Sequence, residues 1–453
     1  MNFRNYKELS NFSLQYTHLL IPFFLSILAI LLRYPAIERD SLWLDEAWRL
    51  QLFSAPLNTL DLRIFISQVL SFEGVIRLIV NLYGANDWSL RAVSLISGTL
   101  AIPTLYFLGY KITGKIVIPL AASFLLAINP WHIAYSSEMA PYALGSFLFP
   151  LFLIMLIKLH EKNDHSSLVI SILIGTALSV MHIYFFVLTL ICIFLLIVIN
   201  WDRASVKNKI ILLFIILFLL NIFQIISYFS WVETDHVSMR YNINWTVGFP
   251  LKVLNAIISG PIPNRFVSTI SYMPFGYILV FYSLTVLTIL LFIRSFIYFI
   301  LLDNKIVVFV IYSTLLYVLF IYLQGHIVNG AFIRYLMPVV PVLLLIVVYV
   351  MMEFANSKPK YYKYIVVVFS FYLLNYALAI YHEPPGEKYK PKYNDFFISF
   401  LKECDENNVY FLNPNVEELP IFIYYLKDTG CNIVKQPSFI GYFEEGQLNL
   451  LDN

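Results

Sequence analysis

Charge is the first thing this chain is short of. Asp, Glu, Lys and Arg make up 13% of its 453 residues, against about 25% in an ordinary globular protein. Hydrophobic residues reach 60% and aromatics 17%, with a mean hydropathy of +0.75. So few charges cannot cover a water-facing surface, and most of the chain must face lipid or other apolar helices. Excess charge of either sign is also absent. A net charge of +2 excludes a polyanion-binding surface and with it nucleic acid as a partner. Three cysteines, Cys192, Cys404 and Cys431, show no paired spacing, which excludes a zinc ribbon or a disulfide-built fold. No small-residue cleavage site follows the first apolar run, which ends in Arg33-Tyr34-Pro35, so no cleaved signal peptide is expected. Internal repeats and heptad seams are missing too.

What the sequence has instead is long charge-free stretches. They are 9–32, 92–110, 116–137, 139–157, 166–201, 210–232, 266–293, 306–333, 335–352 and 364–382. A membrane helix needs about 20 apolar residues, and the runs are continuous rather than alternating, which favours helices over barrel strands. The 166–201 stretch is long enough for two spans with a turn near Ser179–His182. The expectation is therefore an all-α polytopic membrane protein with about eleven transmembrane helices. Lysine and arginine recur in alternate loops: Arg4 and Lys7; Lys111 and Lys115; Lys158 and Lys162; Arg203, Lys207 and Lys209; Arg294 and Lys305; Lys358, Lys360 and Lys363. That pattern places the N-terminus in the cytoplasm and the C-terminus outside, in a multi-pass protein of the cell membrane.

The first outer loop, 33–91, carries six arginines and no lysine. They read either as side chains snorkelling from interfacial helices or as ligands for an anionic headgroup or phosphate. Its stretches 57–70 and 74–83 have the mixed composition of amphipathic helices on a membrane surface. A second outer loop is expected over 231–275. After the Pro384-Pro385-Gly386 linker the chain changes character. Helices are expected over Asn394–Glu403 and Val416–Lys427, and strands over Asn408–Leu412 and Asn432–Val434. The division is thus a transmembrane domain, 1–383, and a small extracytoplasmic α/β appendage, 384–453, where Cys404 and Cys431 could pair.

Polar residues collect on the outer side. The densest group is Glu38-Arg39-Asp40-Ser41-Leu42-Trp43-Leu44-Asp45-Glu46-Ala47-Trp48-Arg49. His132, Ser136, Ser137 and Glu138 fall in one outer turn, and His182 and Tyr184 in the next. Arg240, Lys252 and Arg265 lie in the 231–275 loop, and His326 and Arg334 flank the turn before the tenth helix. Such residues can be solvated loop charges and interfacial anchors. An ion-coupled transporter, however, would place ionisable groups near the midplane, and here the chemistry gathers at one interface.

The ordered set of motifs resembles the GT-C membrane glycosyltransferases, and within them the group related to protein O-mannosyltransferases and aminoarabinose transferases. The residues that carry the resemblance are Asp40-Ser41-Leu42-Trp43-Leu44-Asp45-Glu46-Ala47, Asp87-Trp88-Ser89-Leu90-Arg91-Ala92-Val93-Ser94, Asn129-Pro130-Trp131-His132-Ile133-Ala134-Tyr135-Ser136-Ser137-Glu138, Pro141-Tyr142-Ala143-Leu144, His182-Ile183-Tyr184 and Arg334-Tyr335-Leu336-Met337-Pro338. Two departures stand out. A His-Pro-Pro-like motif is replaced by Gln68-Val69-Leu70 or its neighbours, and Ala140 stands where relatives commonly have arginine.

The resemblance implies transfer of a hexosyl or pentosyl group from a polyprenyl-phosphate sugar to an acceptor hydroxyl on a glycan, lipid or protein, at the extracytoplasmic face. Phosphate is already a good leaving group, so one base and one or two cations suffice. On that scheme Asp45 is the base, with Glu46 beside it. Glu138 lines the same cavity, orienting the acceptor or tuning Asp45. Arg334 holds the carrier phosphate, with Tyr142, His182, Arg240, Lys252 and His326 as further substrate contacts. Attack opposite the phosphate inverts the anomeric carbon. No cofactor is required; a divalent metal is compatible with the chemistry, but no Asp-x-Asp pair in the first outer loop supports one. The alternatives are a flippase or transporter of a lipid-linked sugar, and an inactive relative acting as a scaffold in envelope polysaccharide assembly.

Overall fold

The structure, a computed structural model, describes residues 20–35, 37, 46, 49, 72–84, 86–222, 224–226, 286–287, 290, 293–294, 304–328, 333–382, 409–412 and 432–435. The helices are α1 (Leu20–Pro35), α2 (Phe72–Tyr83), α3 (Asp87–Thr113), α4 (Val117–Ala127), α5 (Pro130–Ser136), α6 (Tyr142–Lys162), α7 (His165–Val180), α8 (Ile183–Ile199), α9 (Ala204–Leu220), α10 (Lys305–Val328), α11 (Val340–Ser357) and α12 (Tyr362–His382). A 3-10 helix, Ile333–Val339, runs directly into α11.

The chain writes its helix ends in side chains. Asn86 and Ser89 form a reciprocal capping box at the start of α3, and Asn129 caps α5 with Pro130 at the first helical position. Asp164 caps α7 through the Ser167 N–H. Gly114, at φ 64°, closes α3 in the left-handed conformation that glycine adopts without strain. Inside the bundle, hydroxyls turn back onto their own helix. Thr104 donates to the Leu100 carbonyl, Ser171 to Ser167, and Ser313 to Phe309. These three hydroxyls are thereby satisfied without help from lipid.

α3 and α11 form the centre, with 78% and 89% of their apolar windows buried. α3 packs on α6 and α4, α6 on α7 and on the 3-10 helix, and α8 on α10. Close approach of α6 to the 3-10 helix depends on Gly145. A Cβ there would stand 2.9 Å from Pro338 Cγ and 3.0 Å from Phe185 Cε2, too near for either to remain in place.

The protein is a multi-pass membrane protein. Among the described residues four helices are long and apolar enough to span, with three shorter apolar ones besides. The expected total of eleven also draws on segments such as 266–293 that lie almost wholly outside the described residues. The 166–201 stretch does divide, into α7 and α8 with the turn at Met181–His182. The 116–137 stretch does not run as one straight span. α4 and α5 are bent by 60° at Ile128–Asn129, because Asn129 caps a new helix and Pro130 cannot continue the old one. His132, Ser136 and Ser137 are consequently buried rather than exposed in an outer turn.

Near the C-terminus, β1 (Val409–Leu412) and β2 (Asn432–Lys435) pair in parallel, Val409 opposite Asn432. These strands fall where the sequence places them. The helices expected around them, and Cys404 and Cys431, lie outside the described residues.

Two ends of the bundle differ in chemistry. At one, the C-termini of α3, α6, α8 and α11 meet the N-termini of α7, α9, α10 and α12. It is basic, and its helices are joined by Lys111 to Glu161 at 2.5 Å, by Lys115 to Glu353, and by Arg203 donating to the His160 carbonyl at 2.8 Å. The other end carries α5, the α7–α8 turn and the 3-10 helix.

Candidate functional site

At that second end three side chains named from the sequence come together. The Arg334 guanidinium lies 5.8 Å over the Tyr142 ring. Tyr142 sits 6.3 Å from Tyr335, and the Tyr335 ring is 4.5 Å from both His182 and Tyr184. α6 supplies Tyr142, the α7–α8 turn His182, and the 3-10 helix Arg334 and Tyr335. His182 is held locally as well, because its Nδ1 accepts from the Tyr184 N–H at 3.3 Å and caps α8. Burial in this aromatic nest, with Arg334 and Arg49 nearby, pushes the His182 imidazole down to about 3. His182 is neutral at any physiological pH.

Glu138 belongs to the same neighbourhood. It follows α5, and Tyr135, whose ring is 5.4 Å from Tyr142, is within electrostatic reach of both Glu138 and Arg334. The segment after α5 is clamped by residues from the 33–91 stretch. Glu46 Oε1 accepts from the Met139 N–H at 2.8 Å, and Arg49 Nη1 donates to the Met139 carbonyl at 2.7 Å. Glu46 is in turn locked by Arg91. The guanidinium Nε and Nη2 each donate to one carboxylate oxygen at 3.0 Å, and Nη1 donates to the Ile37 carbonyl at 2.7 Å. This fork leaves both partners buried and fixed in orientation.

Glu46, expected among the catalytic residues, makes a latch: both its oxygens are engaged by Arg91, and one also by the Met139 backbone. The loop arginines do not all snorkel. Arg91 is wholly buried with Glu46, and Arg33 is wholly buried beneath α5. Arg33 donates to the Ala127 carbonyl at 2.9 Å and the Leu126 carbonyl at 3.3 Å, at the C-terminus of α4, where a cation suits the helix dipole. Its Nη2 also meets His132 Nδ1 at 2.8 Å. A guanidinium can only donate, so Nδ1 accepts and the ring proton sits on Nε2, 2.9 Å from Ser146 Oγ. His132 is thereby a neutral internal strut at the α4–α5 bend.

Asp45, Arg240 and Lys252 lie outside the described residues, and so does the side chain of His326 at the end of α10. Sequence reasoning passed over Arg49 and Tyr335. Arg49 was visible only as one more loop arginine; its partners, Met139 and, at 3.9 Å, Glu73, are remote in sequence or backbone. Among the described residues no three of His, Cys, Asp and Glu gather as a metal site would require.

Comparison with known proteins bears on this arrangement. Residues 71–228 match the family model described as dolichyl-phosphate-mannose-protein mannosyltransferase. The match covers α2 to α9 and includes Arg91, Glu138, Tyr142 and His182. In overall structure the chain is similar to ArnT from Cupriavidus metallidurans bound to undecaprenyl phosphate. The TM-score is 0.56 at 10% identity, over 91% of this chain and 85% of that one. The chain shares the overall fold of this ArnT. The apo state of the same ArnT gives a TM-score of 0.54, again at 10% identity, covering 91% of this chain and 84% of that one. No curated protein sequence matches. At this identity the structural likeness is one of fold, and the stretch that matches the family model supplies Tyr142, over which Arg334 lies.

Proposed function

We propose that the protein is a glycosyltransferase that moves a sugar from a polyprenyl-phosphate carrier to an acceptor hydroxyl at the extracytoplasmic face. The observation that carries the reading is the meeting of Arg334, Tyr142 and His182 at the end of the bundle opposite the lysine-rich one. A polyprenyl donor cannot leave the bilayer, so its phosphosugar must be met where a helix bundle reaches the membrane boundary. The ArnT structure, similar in fold, was obtained with undecaprenyl phosphate bound, and the family description names a dolichyl-phosphate sugar. Both are carriers of the class proposed here.

Each residue then has a task. Arg334 offers a planar fork to the phosphate as it gains charge. Neutral His182 can hydrogen-bond donor or acceptor without repelling Arg334. The aromatic faces of Tyr142, Tyr184 and Tyr335 suit the apolar side of a sugar ring. Asp45 is the base that takes the acceptor proton, and attack opposite the phosphate inverts the anomeric centre. Asp45 precedes Glu46 in the chain and Glu138 precedes Met139, so each carboxylate belongs to the residue next to the Glu46–Met139 latch at 2.8 Å. That latch supports the two acids sharing a site, with Glu138 orienting the acceptor. Arg240, Lys252 and His326 are assigned to the carrier phosphate or sugar. In this reading residues 1–383 are the catalytic domain and 384–453 an outer appendage.

The test is an in vitro transfer assay. Asp45→Asn should abolish release of free polyprenyl phosphate, and Arg334→Gln should slow it about a hundredfold, as loss of one charge-stabilising donor does. Unchanged turnover of Asp45→Asn would remove it as the base. Movement of intact lipid across vesicles without release would identify a flippase instead.

A further inference from the structure

The basic end of the bundle contains cations that the fold does not use. Lys111, Lys115 and Arg203 are spent on Glu161, Glu353 and the His160 carbonyl. Arg294, Lys360 and Lys363 are different. All three are exposed, and among the described residues none has a carboxylate partner. They gather instead on tyrosine. The Arg294 guanidinium and the Lys360 ammonium each lie 5.2 Å from the centre of the Tyr361 ring, and Lys363 lies 5.1 Å from that of Tyr364. The two rings are 6.4 Å apart, so the three charges share one platform. Glu353, the acid nearest before Lys360 and Lys363 in the chain, is already taken by Lys115.

What lies beside the platform matters as much. α12 begins at Tyr362, and Lys363, Val366 and Val367 are spaced as neighbours on one helix face. Val366 is 45% exposed and Val367 51%. A cluster of cations thus opens directly onto a strip of bare aliphatic surface. Free phosphate or an acidic peptide would use the cations and leave the strip wet; a phospholipid uses both. Tyrosine at the junction fits the headgroup level of a bilayer.

We infer that Arg294, Lys360 and Lys363 hold the phosphate of an anionic phospholipid headgroup, with the acyl chains lying along Val366 and Val367 of α12. This site is at the opposite end of the bundle from Arg334 and does not depend on the proposed transfer reaction. Each basic residue near a membrane surface contributes a similar increment of attraction, so removing three should weaken retention of an anionic lipid about a hundredfold.

Native mass spectrometry of the purified full chain, titrated with phosphatidylglycerol or phosphatidylcholine in detergent, tests this. The expected result is retention of phosphatidylglycerol over phosphatidylcholine by the wild type, loss of that preference in R294Q/K360Q/K363Q, and its survival in K158Q/K162Q, which removes charge elsewhere at the same end. Equal retention of the two lipids by the wild type would overturn the inference. So would undiminished preference in the triple variant, or an equal loss in K158Q/K162Q. Displacement of the lipid by millimolar inorganic phosphate would make this a soluble-anion site and overturn it as well.

Discussion

The two ends of the bundle handle charge in opposite ways. At the basic end, ion pairs such as Lys111–Glu161 are about a third exposed on each side, and Arg294, Lys360 and Lys363 face outward. At the other end, Arg91 and Glu46 are enclosed and joined by a bidentate fork, Arg33 is enclosed among carbonyls, and Arg334 lies over an aromatic ring. Little folding free energy depends on surface charge of the first kind. Enclosed charge of the second kind fixes a geometry, and losing one partner leaves the other stranded. On the proposed function, an end that holds a phosphosugar in one orientation needs the second kind.

Substitutions can break this contrast in order of size. Arg91→Leu should be the most damaging, because it strands the Glu46 carboxylate and frees the Met139 segment; thermal unfolding in detergent should show a loss of about 3–5 kcal/mol. Replacing both partners, as Arg91→Met with Glu46→Leu, should restore most of that stability while transfer stays impaired. Gly145→Ala acts at the same end without touching charge. Its Cβ must displace Pro338 or Phe185, costing about 1–3 kcal/mol, and it should raise KM for the lipid donor by moving the 3-10 helix that bears Arg334.

The next effect is a matter of pH. The His182 imidazole is held near 3, below its usual unfolded value, so the neutral form is the one the fold favours. Its stabilisation is complete above pH of about 6.5 and is lost as pH falls toward 3. Part of the ring edge reaches solvent, which limits the effect to roughly 2 kcal/mol at pH 4. Wild type should lose more melting temperature than His182→Gln between pH 7 and pH 4, and an equal loss would show that His182 is not the group responsible. The smallest effect belongs to the basic end, where Lys111→Ala should cost under about 1 kcal/mol and leave transfer unchanged.

Much of the architecture was legible in the sequence because lipid demands continuous apolar runs, and those can be read directly. The split of 166–201 followed from its length. The break in 116–137 carried its own signal, the Asn129-Pro130 pair, but no charge interrupts the run there and it reads as one span. Residue types gathered at one boundary were legible, and of those named Tyr142, His182, Arg334 and Glu138 lie in one neighbourhood. What could not be read was the pairing. Glu46 and Arg91 are 45 residues apart, and Arg33 and His132 are 99 apart. A carboxylate committed to an internal arginine looks, in one dimension, the same as one poised to take a proton. Arg49 escaped because its partner is the carbonyl of Met139, which no side chain announces.

The most direct measurement is donor turnover by purified protein given a polyprenyl-phosphate sugar and an acceptor hydroxyl, followed as free polyprenyl phosphate. Release by the wild type, abolished in Asp45→Asn and about a hundredfold slower in Arg334→Gln, is the expected result. Recovery of all the lipid-linked sugar intact after incubation with the wild type, or release that ignores both substitutions, would contradict a phosphosugar site at this end of the bundle.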